Sequence, residues 1–281
     1  MEFRTDPGDG KRPFWIRGPL VLAGPDGVGG WAYLVDEEEP PEEPDVAFPQ
    51  VESVTTSAGT TATATVDMPE SVDAGDLLLI LLQDFGSDIT SPDGWTELYN
   101  AAHGTYPNGR CAVFVKKAAG TEGGGSVSIT LGSYQYWAAL TYRISAWSGT
   151  ITDVEATGTT GLDDSPNPPS ETATWGSADN LFLALAGAGD DDATFSAAPT
   201  NYSNLQQQAG GGGSNNSCEV AGAEREYASA SDNPGTFTLS EIEAWHAITV
   251  VIKPAAAGGT TAPTGALSGP LVGALGGPIG D

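Results

Sequence analysis

The sequence predicts an all-β fold: a large, jelly-roll-like antiparallel β-sandwich built from two sequence repeats, with an N-terminal β-hairpin arm and a C-terminal Gly/Pro-rich tail. Three observations predict this class. Thr, Val, Gly and Ser dominate the chain, and 38 Gly and 20 Pro among 281 residues supply many turns. Residues 51–147 resemble residues 154–252, so one unit occurs twice. Short apolar or alternating segments of strand length recur between the turns.

The repeat is carried by residue pairs that keep one order along the chain. Their spacing grows slightly, and only in segments of loop composition, where insertions are tolerated. The first pairs are Val51 and Val154, Glu52 and Glu155, Asp76 and Asp179, Pro92 and Pro199, Trp95 and Tyr202, Leu98 and Leu205, and Cys111 and Cys218. The last strands add Thr130 and Thr238, Leu131 and Leu239, Trp137 and Trp245, Ala139 and Ala247, Thr141 and Thr249, and Ile144 and Ile252.

Residues 1–35 are predicted to form an attachment arm. Residues 13–17 and 28–35 have strand composition, and the turn signal at 25–27 between them predicts a hairpin. An isolated hairpin is marginally stable in water, so its apolar side chains need a partner surface. The predicted assembly contacts in the arm are Phe14, Trp15, Ile16, Trp31 and Tyr33.

Two linkers flank the predicted sandwich of residues 48–254. Residues 36–47 form an acidic, Pro-rich linker, because seven carboxylates and three prolines between Asp36 and Asp45 keep the chain stiff and extended. Residues 255–281 form a second linker and an apolar tail. The tail is too apolar for a free end, so it is predicted to dock on another chain. Its predicted assembly contacts are Leu271 and Val272.

Both repeats carry segments typical of strands. Residues 77–82 and 181–185 are short apolar runs that predict buried strands, and residues 126–131 alternate with period two. Each half offers about seven strands, which implies a sandwich of roughly a dozen strands or more. The predicted inward residues of the last strands are Leu140, Tyr142 and Ile144 in one half and Ile248, Val250 and Ile252 in the other.

The charge balance excludes two classes of partner. Ten Lys and Arg against 37 Asp and Glu give a formal net charge of −27, whereas binding to nucleic acid or to an anionic membrane needs clustered cations. No apolar run reaches the roughly 18 residues that span a membrane, and the first residues lack the apolar core of a signal peptide. We therefore expect synthesis in the cytoplasm, although the composition is typical of an extracellular β protein.

A resemblance to a known family is carried by structural motifs of the sandwich. These are Ala74-Gly75-Asp76-Leu77-Leu78-Leu79, Ser91-Pro92-Asp93-Gly94-Trp95-Thr96, Phe114-Val115-Lys116-Lys117-Ala118, and residues 126–131, 137–144, 178–181 and 247–254. Residues 50–254 resemble the duplicated β-sandwich domain common in predicted bacteriophage virion proteins, which include capsid accessory and tail proteins. The domain also occurs in secreted bacterial proteins.

The resemblance implies a non-enzymatic virion structural protein at the virion surface, foremost a capsid decoration or head-fibre-type protein anchored by its terminal arm. Its partners would be other capsid or tail proteins and further copies of itself. A virion protein is made in the host cytoplasm without a signal peptide and acts outside after lysis, which accounts for the composition. The alternative is a tail appendage or adhesin whose sandwich binds host-surface carbohydrate.

The sequence contains no recognisable catalytic constellation. His is the usual base near neutral pH, and the chain has only His103 and His246, without a catalytic spacing. We therefore predict no catalytic residues, no cofactor and no metal site. Loop acids such as Asp163-Asp164 are expected to be solvated rather than to bind calcium.

Two pairs of repeat residues leave alternatives open. Trp137 and Trp245 are out of phase with the apolar faces of their strands, so they are either exposed platforms for carbohydrate or core residues at strand starts. Cys111 and Cys218 are either free buried thiols or a disulfide between the two halves.

Overall fold

The chain divides into two units, residues 1–43 and 44–281. In the first unit, β1 (Leu20–Ala23) pairs antiparallel with β2 (Gly29–Ala32), and Val21 lies opposite Trp31. Apart from the backbone of these two strands, the computed structural model describes residues 47–86, 88–103, 109–189, 193–211 and 217–256.

Most of the predicted attachment residues fall outside the described part of the chain. The predicted first strand of the arm, residues 13–17, and the tail beyond residue 256 are among them. The assembly contacts predicted there stay predictions: Phe14, Trp15, Ile16, Tyr33, Leu271 and Val272. Trp31 lies in β2, and its contacts with other chains are likewise a prediction.

The first half of the second unit forms a five-stranded antiparallel sheet. Its order is β3-β7-β4-β6-β5, so the first and third strands of this half are the edges. Every side chain of β4 is buried, as its apolar run predicted. The strands are β3 (Gln50–Asp67), β4 (Leu77–Asp84), β5 (Thr96–Ala102), β6 (Arg110–Lys117) and β7 (Ser126–Ser145).

The second half begins with a 3₁₀ turn at Ile151–Asp153 and forms another five-stranded antiparallel sheet, with the order β8-β16-β10-β13-β12. Two small pairs flank it, β9 with β14 and β11 with β15. The strands are β8 (Val154–Asp163), β9 (Glu171–Thr172), β10 (Ala178–Gly189), β11 (Phe195–Ala197), β12 (Ser203–Gly211), β13 (Ser217–Ser229), β14 (Ser231–Asp232), β15 (Thr238–Leu239) and β16 (Glu243–Ile252).

The two sheets share one strand order. From edge to edge, β3-β7-β4-β6-β5 matches β8-β16-β10-β13-β12, with the strands in the same sequence order in each half. The pairing registers match as well. Val51 and Leu77 both lie opposite Ile144. Their counterparts in the second half, both opposite Ile252, are Val154 and Leu181.

The registers correct two residue pairings that the sequence suggested. Asp76 lies one residue away from the position that corresponds to Asp179, because Leu77 and not Leu78 matches Leu181. Cys111 corresponds to a residue two positions beyond Cys218 on β13. A shift of two residues preserves which face a strand residue occupies, so alternation alone could not detect this slip.

The sheets pack against each other around a central apolar core, to which both contribute. Each fully buried aliphatic side chain there stabilises the fold by about 1.5–3 kcal/mol. The described residues contain no α-helix, so the predicted all-β antiparallel class is confirmed. Central residues include Leu79, Leu81, Val113, Leu140, Leu183, Leu185, Ile248 and Val250.

The outer face of each sheet is covered by residues of its own half. In the first half, β3 and β7 continue past a register shift, and Val66 and Ile129 pack in one cluster with Phe114. In the second half, Phe195 and Phe237 form an edge-to-face pair with ring centroids 5.5 Å apart. The central strands are therefore buried on both faces.

Candidate functional site

Trp137 and Trp245, the predicted carbohydrate platforms, are core residues. They are 3% and 5% exposed, and each belongs to the outer core of its own half. The prediction of exposed platforms was therefore wrong. Its reasoning failed because these strands are buried on both faces, so a residue out of phase with the central core still packs against apolar neighbours.

Each indole lies across a glycine of the neighbouring edge strand. Trp137 pairs with Gly59, where a Cβ atom would stand 2.8 Å from the indole Cζ2. Trp245 pairs with Gly161, where a Cβ atom would collide with the ring. Each indole N–H donates a hydrogen bond to the residue two positions after that glycine. The acceptors, both 3.0 Å away, are Thr61 Oγ1 and Asp163 Oδ1.

Cys111 and Cys218 are free thiols, and both are buried. Burial raises the pKa of each thiol, and the charge of Asp84 raises it further. Because the thiolate is the reactive form, such cysteines are chemically inert. Of the two alternatives, the structure contains the free thiols, and these residues offer no redox or nucleophilic site.

The sandwich has two corners at which edge strands of the two sheets meet. At one corner β5 lies beside β8, and at the other β12 lies beside β3. Because β5 corresponds to β12 and β8 to β3, the two corners are equivalent by topology. We call the corner of β5 and β8 the closed corner, because side chains fill it, and the corner of β12 and β3 the open corner, because it contains a groove.

The closed corner is filled by rings. The Tyr99 ring covers Gly158, where a Cβ atom would collide with it. Tyr99 also meets His246 edge-on, with ring centroids 6.4 Å apart, and His246 meets His103 at 6.0 Å. Val115, on the strand next to β5, is buried in the central core. Aromatic and imidazole rings therefore fill the space between the two edge strands at this corner.

The two histidines belong to this packing rather than to a reactive centre. Burial is the main cause that lowers the pKa of His246 to about 3, and the neighbouring His103 contributes to the shift. His246 is therefore neutral near pH 7, and only 1% of it is exposed to solvent. The second ring is held by a contact of 3.0 Å between His103 Nε2 and the Gly161 carbonyl oxygen.

The open corner contains a groove of about 510 Å³. A second depression of about 240 Å³ shares Val51, Asn204 and Glu224 with it, and we call the two together the groove. The apolar part of the lining includes the half-buried side chains of Val51 and Val54. The polar part is larger, and it includes Gln50, Ser53, Asn204, Gln206, Glu224 and Glu226.

The strand registers identify what each groove residue replaces in the closed corner. Glu224 occupies the position of the buried Val115. Gln206 occupies the position of Tyr99, opposite the matching residue of the next strand. The open corner thus carries polar side chains where the closed corner has a core valine and an aromatic ring.

Tyr142 forms the floor of the groove and reaches from the first sheet to the second. Its hydroxyl lies against Gly222, where a Cβ atom would collide with it. The closed corner has Val250 and Val113 at these two positions. Tyr142 is 1% exposed, and among the described residues its hydroxyl has no hydrogen-bond partner, which costs about 1–3 kcal/mol.

Glu224 is the acidic group closest to the groove floor. Burial raises the pKa of its carboxyl, a hydrogen bond from the Asn204 amide opposes the shift, and the charge of Glu226 adds to it. Burial likewise raises the pKa of the Tyr142 hydroxyl, to which the Glu224 charge contributes. The groove therefore disfavours further negative charge.

The one cation of the lining described here is engaged elsewhere. The Arg225 guanidinium donates a hydrogen bond of 2.7 Å to Asp232 Oδ1 and lies 3.9 Å from the centre of the Tyr227 ring. Asp232 also accepts a hydrogen bond of 2.8 Å from the Tyr202 hydroxyl. Arg225 is consequently fixed by its own half and does not offer a free guanidinium to an anion.

The backbone holds two asparagines of the groove in the left-handed region. Asn201 has φ of 70° and Asn204 has φ of 55°, a conformation that Asn tolerates better than most residues. Gly94, which matches Asn201 in the first half, is also left-handed, with φ of 79°. Asn204 matches Glu97, which does not share this conformation, so the left-handed backbone at Asn204 is specific to the open corner, although both edge strands have a register shift here.

The described part of the chain lacks both a candidate metal-binding cluster and a helix that could span a membrane. None of its groups of His, Cys, Asp and Glu has three or more members placed to hold a metal ion. Nor does it contain a helix with the length and apolar character that crossing a bilayer requires.

No protein-family model, curated protein or solved structure matches the chain. Function is therefore inferred from the geometry above and from the resemblance of the sequence motifs. The groove residues Glu224, Gln206, Asn204 and Tyr142 were not among the predicted site residues. Comparison of the two repeats could have identified Glu224 and Gln206, because they are polar where the other repeat has a core valine and an aromatic ring. That comparison requires the correct alignment of the repeats, which the strand registers provide.

Proposed function

We propose that the chain is a non-enzymatic virion structural protein displayed on the outside of a phage particle, as a capsid decoration or head-fibre-type protein anchored by its terminal arm. In this proposal the two sheets are a duplicated, jelly-roll-like sandwich that serves as a rigid outward module. The acidic linker of residues 36–47 separates it from the particle, and other virion proteins and copies of this chain are its partners.

The observation that supports this proposal most is the packing of the sandwich. Two sheets of equal strand order bury their central strands on both faces, and the closed corner is filled by packed rings. Such a module resists deformation and suits display. The net charge of −27 keeps it soluble and away from packaged nucleic acid.

Labelling of intact particles tests the proposal. Gold-labelled antibody against the full chain should decorate the outside of purified phage particles, and mass spectrometry should find the chain in them. Trp15→Ala with Ile16→Ala should release it, because these residues are predicted arm contacts, while Tyr134→Ala, an exposed sandwich residue, should not. Particles that lack the chain altogether would refute the proposal.

A tail appendage or adhesin that binds host-surface carbohydrate is the second candidate function. The polar groove of the open corner favours it, since sugar-binding sites are concave and present a few oriented polar groups. The buried Trp137 and Trp245 take no part in it. Retention of the full chain on immobilised host-cell glycans tests this candidate, and competition by free oligosaccharide should elute it.

A further inference from the structure

We propose that the groove of the open corner binds a sugar residue without negative charge, held mainly by the Glu224 carboxylate and the Asn204 and Gln206 amides. The proposal rests on the second candidate function, the carbohydrate-binding adhesin, and assigns the binding site and ligand class to it. It replaces the two tryptophans, which are buried, as the place where a glycan would bind.

The first argument is the asymmetry between equivalent corners. At the closed corner, Val115 and Tyr99 complete the packing of the sandwich. At the open corner the same positions carry Glu224 and Gln206. Since the fold is completed by apolar residues at the first corner, folding does not require polar ones at the second. A ligand supplies a reason for them.

The second argument is the unpaired hydroxyl below the groove. Tyr142 is buried, and a phenylalanine would keep the ring in the core without leaving a polar atom unpaired. Buried polar atoms without a partner are uncommon, so each one calls for an explanation. Here the atom lies under the carboxylate that we assign to the ligand.

The third argument is the chemistry of the lining. Sugar hydroxyls both donate and accept hydrogen bonds, and the groove offers carboxylate acceptors together with amides that do both. The half-buried side chains of Val51 and Val54 can face the C–H surface of a sugar ring. The negative charges of Glu224 and Glu226 repel phosphate, sulfate and sialic acid. Arg225 does not offset them, because its guanidinium is already paired with Asp232.

The fourth argument is that the polar groups are held before a ligand binds. Asn204 sits at a bulge of β12 in the left-handed conformation, and its amide donates to Glu224. The Ser203 hydroxyl donates to the Glu224 carbonyl oxygen at 3.4 Å. Groups fixed in this way lose little conformational freedom on binding, which favours affinity.

The test uses the full chain and a panel of immobilised oligosaccharides. Neutral members end in mannose, galactose or N-acetylglucosamine, and each galactose-terminated member has a sialylated counterpart. We expect retention on at least one neutral glycan and weaker retention on its sialylated form. Titration of that glycan should show at least a tenfold loss of affinity in Glu224→Val, which installs the residue of the closed corner.

Two further variants keep the test decisive. Asn204→Gly removes the amide but tolerates the left-handed backbone, so it should weaken binding with little change in Tm. Glu97→Gln changes the equivalent exposed position of the closed corner and should bind as the natural chain does. Circular dichroism shows which variants are folded.

The outcomes separate this proposal from the function on which it rests. If folded Glu224→Val and Asn204→Gly bind as well as the natural chain, the groove is not the site, while the adhesin function stands. Preference for sialylated glycans would also overturn the groove assignment. If the full chain binds no glycan, the adhesin candidate fails together with its site, and the display proposal is judged by particle labelling alone.

Discussion

The closed and open corners differ in content although equivalent strands of the two sheets form them. The closed corner is filled by ring contacts between the two sheets. The Tyr99 ring covers Gly158 and contacts His246, which in turn contacts His103. At the open corner, the buried Tyr142 and Gly222 lie below a polar groove. Because the two sheets share one strand order, each corner can serve as the comparison for the other.

The largest loss of stability is expected at Gly222 and Tyr142, where one corner has a small and a large residue and the other has two valines. Gly222→Val places a side chain in the space of the Tyr142 hydroxyl and should destabilise the protein by about 3 kcal/mol, at the upper end for overpacking. Tyr142→Val alone should cost about 2 kcal/mol, because it leaves a cavity beside the glycine. Chemical denaturation of both variants measures these losses.

The double variant tests whether the two positions compensate. Gly222→Val with Tyr142→Val recreates the valine pair of the closed corner, Val113 and Val250, so its loss should be smaller than the sum of the single losses by about 2 kcal/mol. Additive losses would mean that the corners do not share this packing relation.

A second comparison sets Tyr99 against Gln206, its counterpart. Tyr99→Ala should lower the free energy of unfolding by about 2 kcal/mol, less than a fully buried ring would, because Tyr99 is only partly buried. Gln206→Ala should change it by less than about 0.5 kcal/mol, since the groove does not depend on it for packing. Equal losses from the two variants would contradict the division into a closed and an open corner.

The histidine pair gives the closed corner a dependence on pH. Folded His246 has a pKa of about 3, against an ordinary value of 6.5, so the unfolded chain binds a proton more readily between these values. The stability that neutral His246 contributes is present above pH 6.5 and is lost as the pH falls toward 3. His246→Phe removes this loss, and between pH 7 and 5.5 the natural chain should lose about 1 kcal/mol relative to it.

Glu219 supplies a control of opposite sign. Burial raises the pKa of its carboxyl to about 7 from 4.5, so its contribution is present below pH 4.5 and is lost as the pH rises through 7. Glu219→Gln should therefore gain stability relative to the natural chain as the pH increases, opposite to His246→Phe. Urea melts at several pH values measure both slopes, and slopes of one sign would refute the assignment.

The sequence predicted the strands that are buried on both faces, because apolar runs such as residues 77–82 are short for a helix and are flanked by segments rich in strand-forming residues. Burial on both faces is also the reason why Trp137 and Trp245 are not exposed platforms for carbohydrate. Period two assigns residues to faces, but it does not say whether the second face is covered. The glycines opposite the two indoles were the available signal, since glycine in a strand often marks a close approach.

The open corner was beyond prediction for a different reason. Glu224 and Val115 become comparable only after strand pairing fixes the register, and loops of unequal length between the repeats hid that register. The sequence pattern correctly predicted that Tyr142 lies in the core. That its hydroxyl has no hydrogen-bond partner there can be seen only in the folded structure.

The smallest expected effect concerns the stability of the groove itself. Glu224→Val replaces a carboxyl whose pKa is raised by burial with the residue that the closed corner buries. The free energy of unfolding at pH 7 should stay within about 0.5 kcal/mol or rise by about 1 kcal/mol, because desolvation of a charged group is removed. Glu226→Val, at an exposed position two residues along β13, is the matched control and should change less. A loss above about 1 kcal/mol in Glu224→Val alone would mean that the carboxylate and its Asn204 partner hold the corner together, and the asymmetry would then be structural rather than a sign of a ligand.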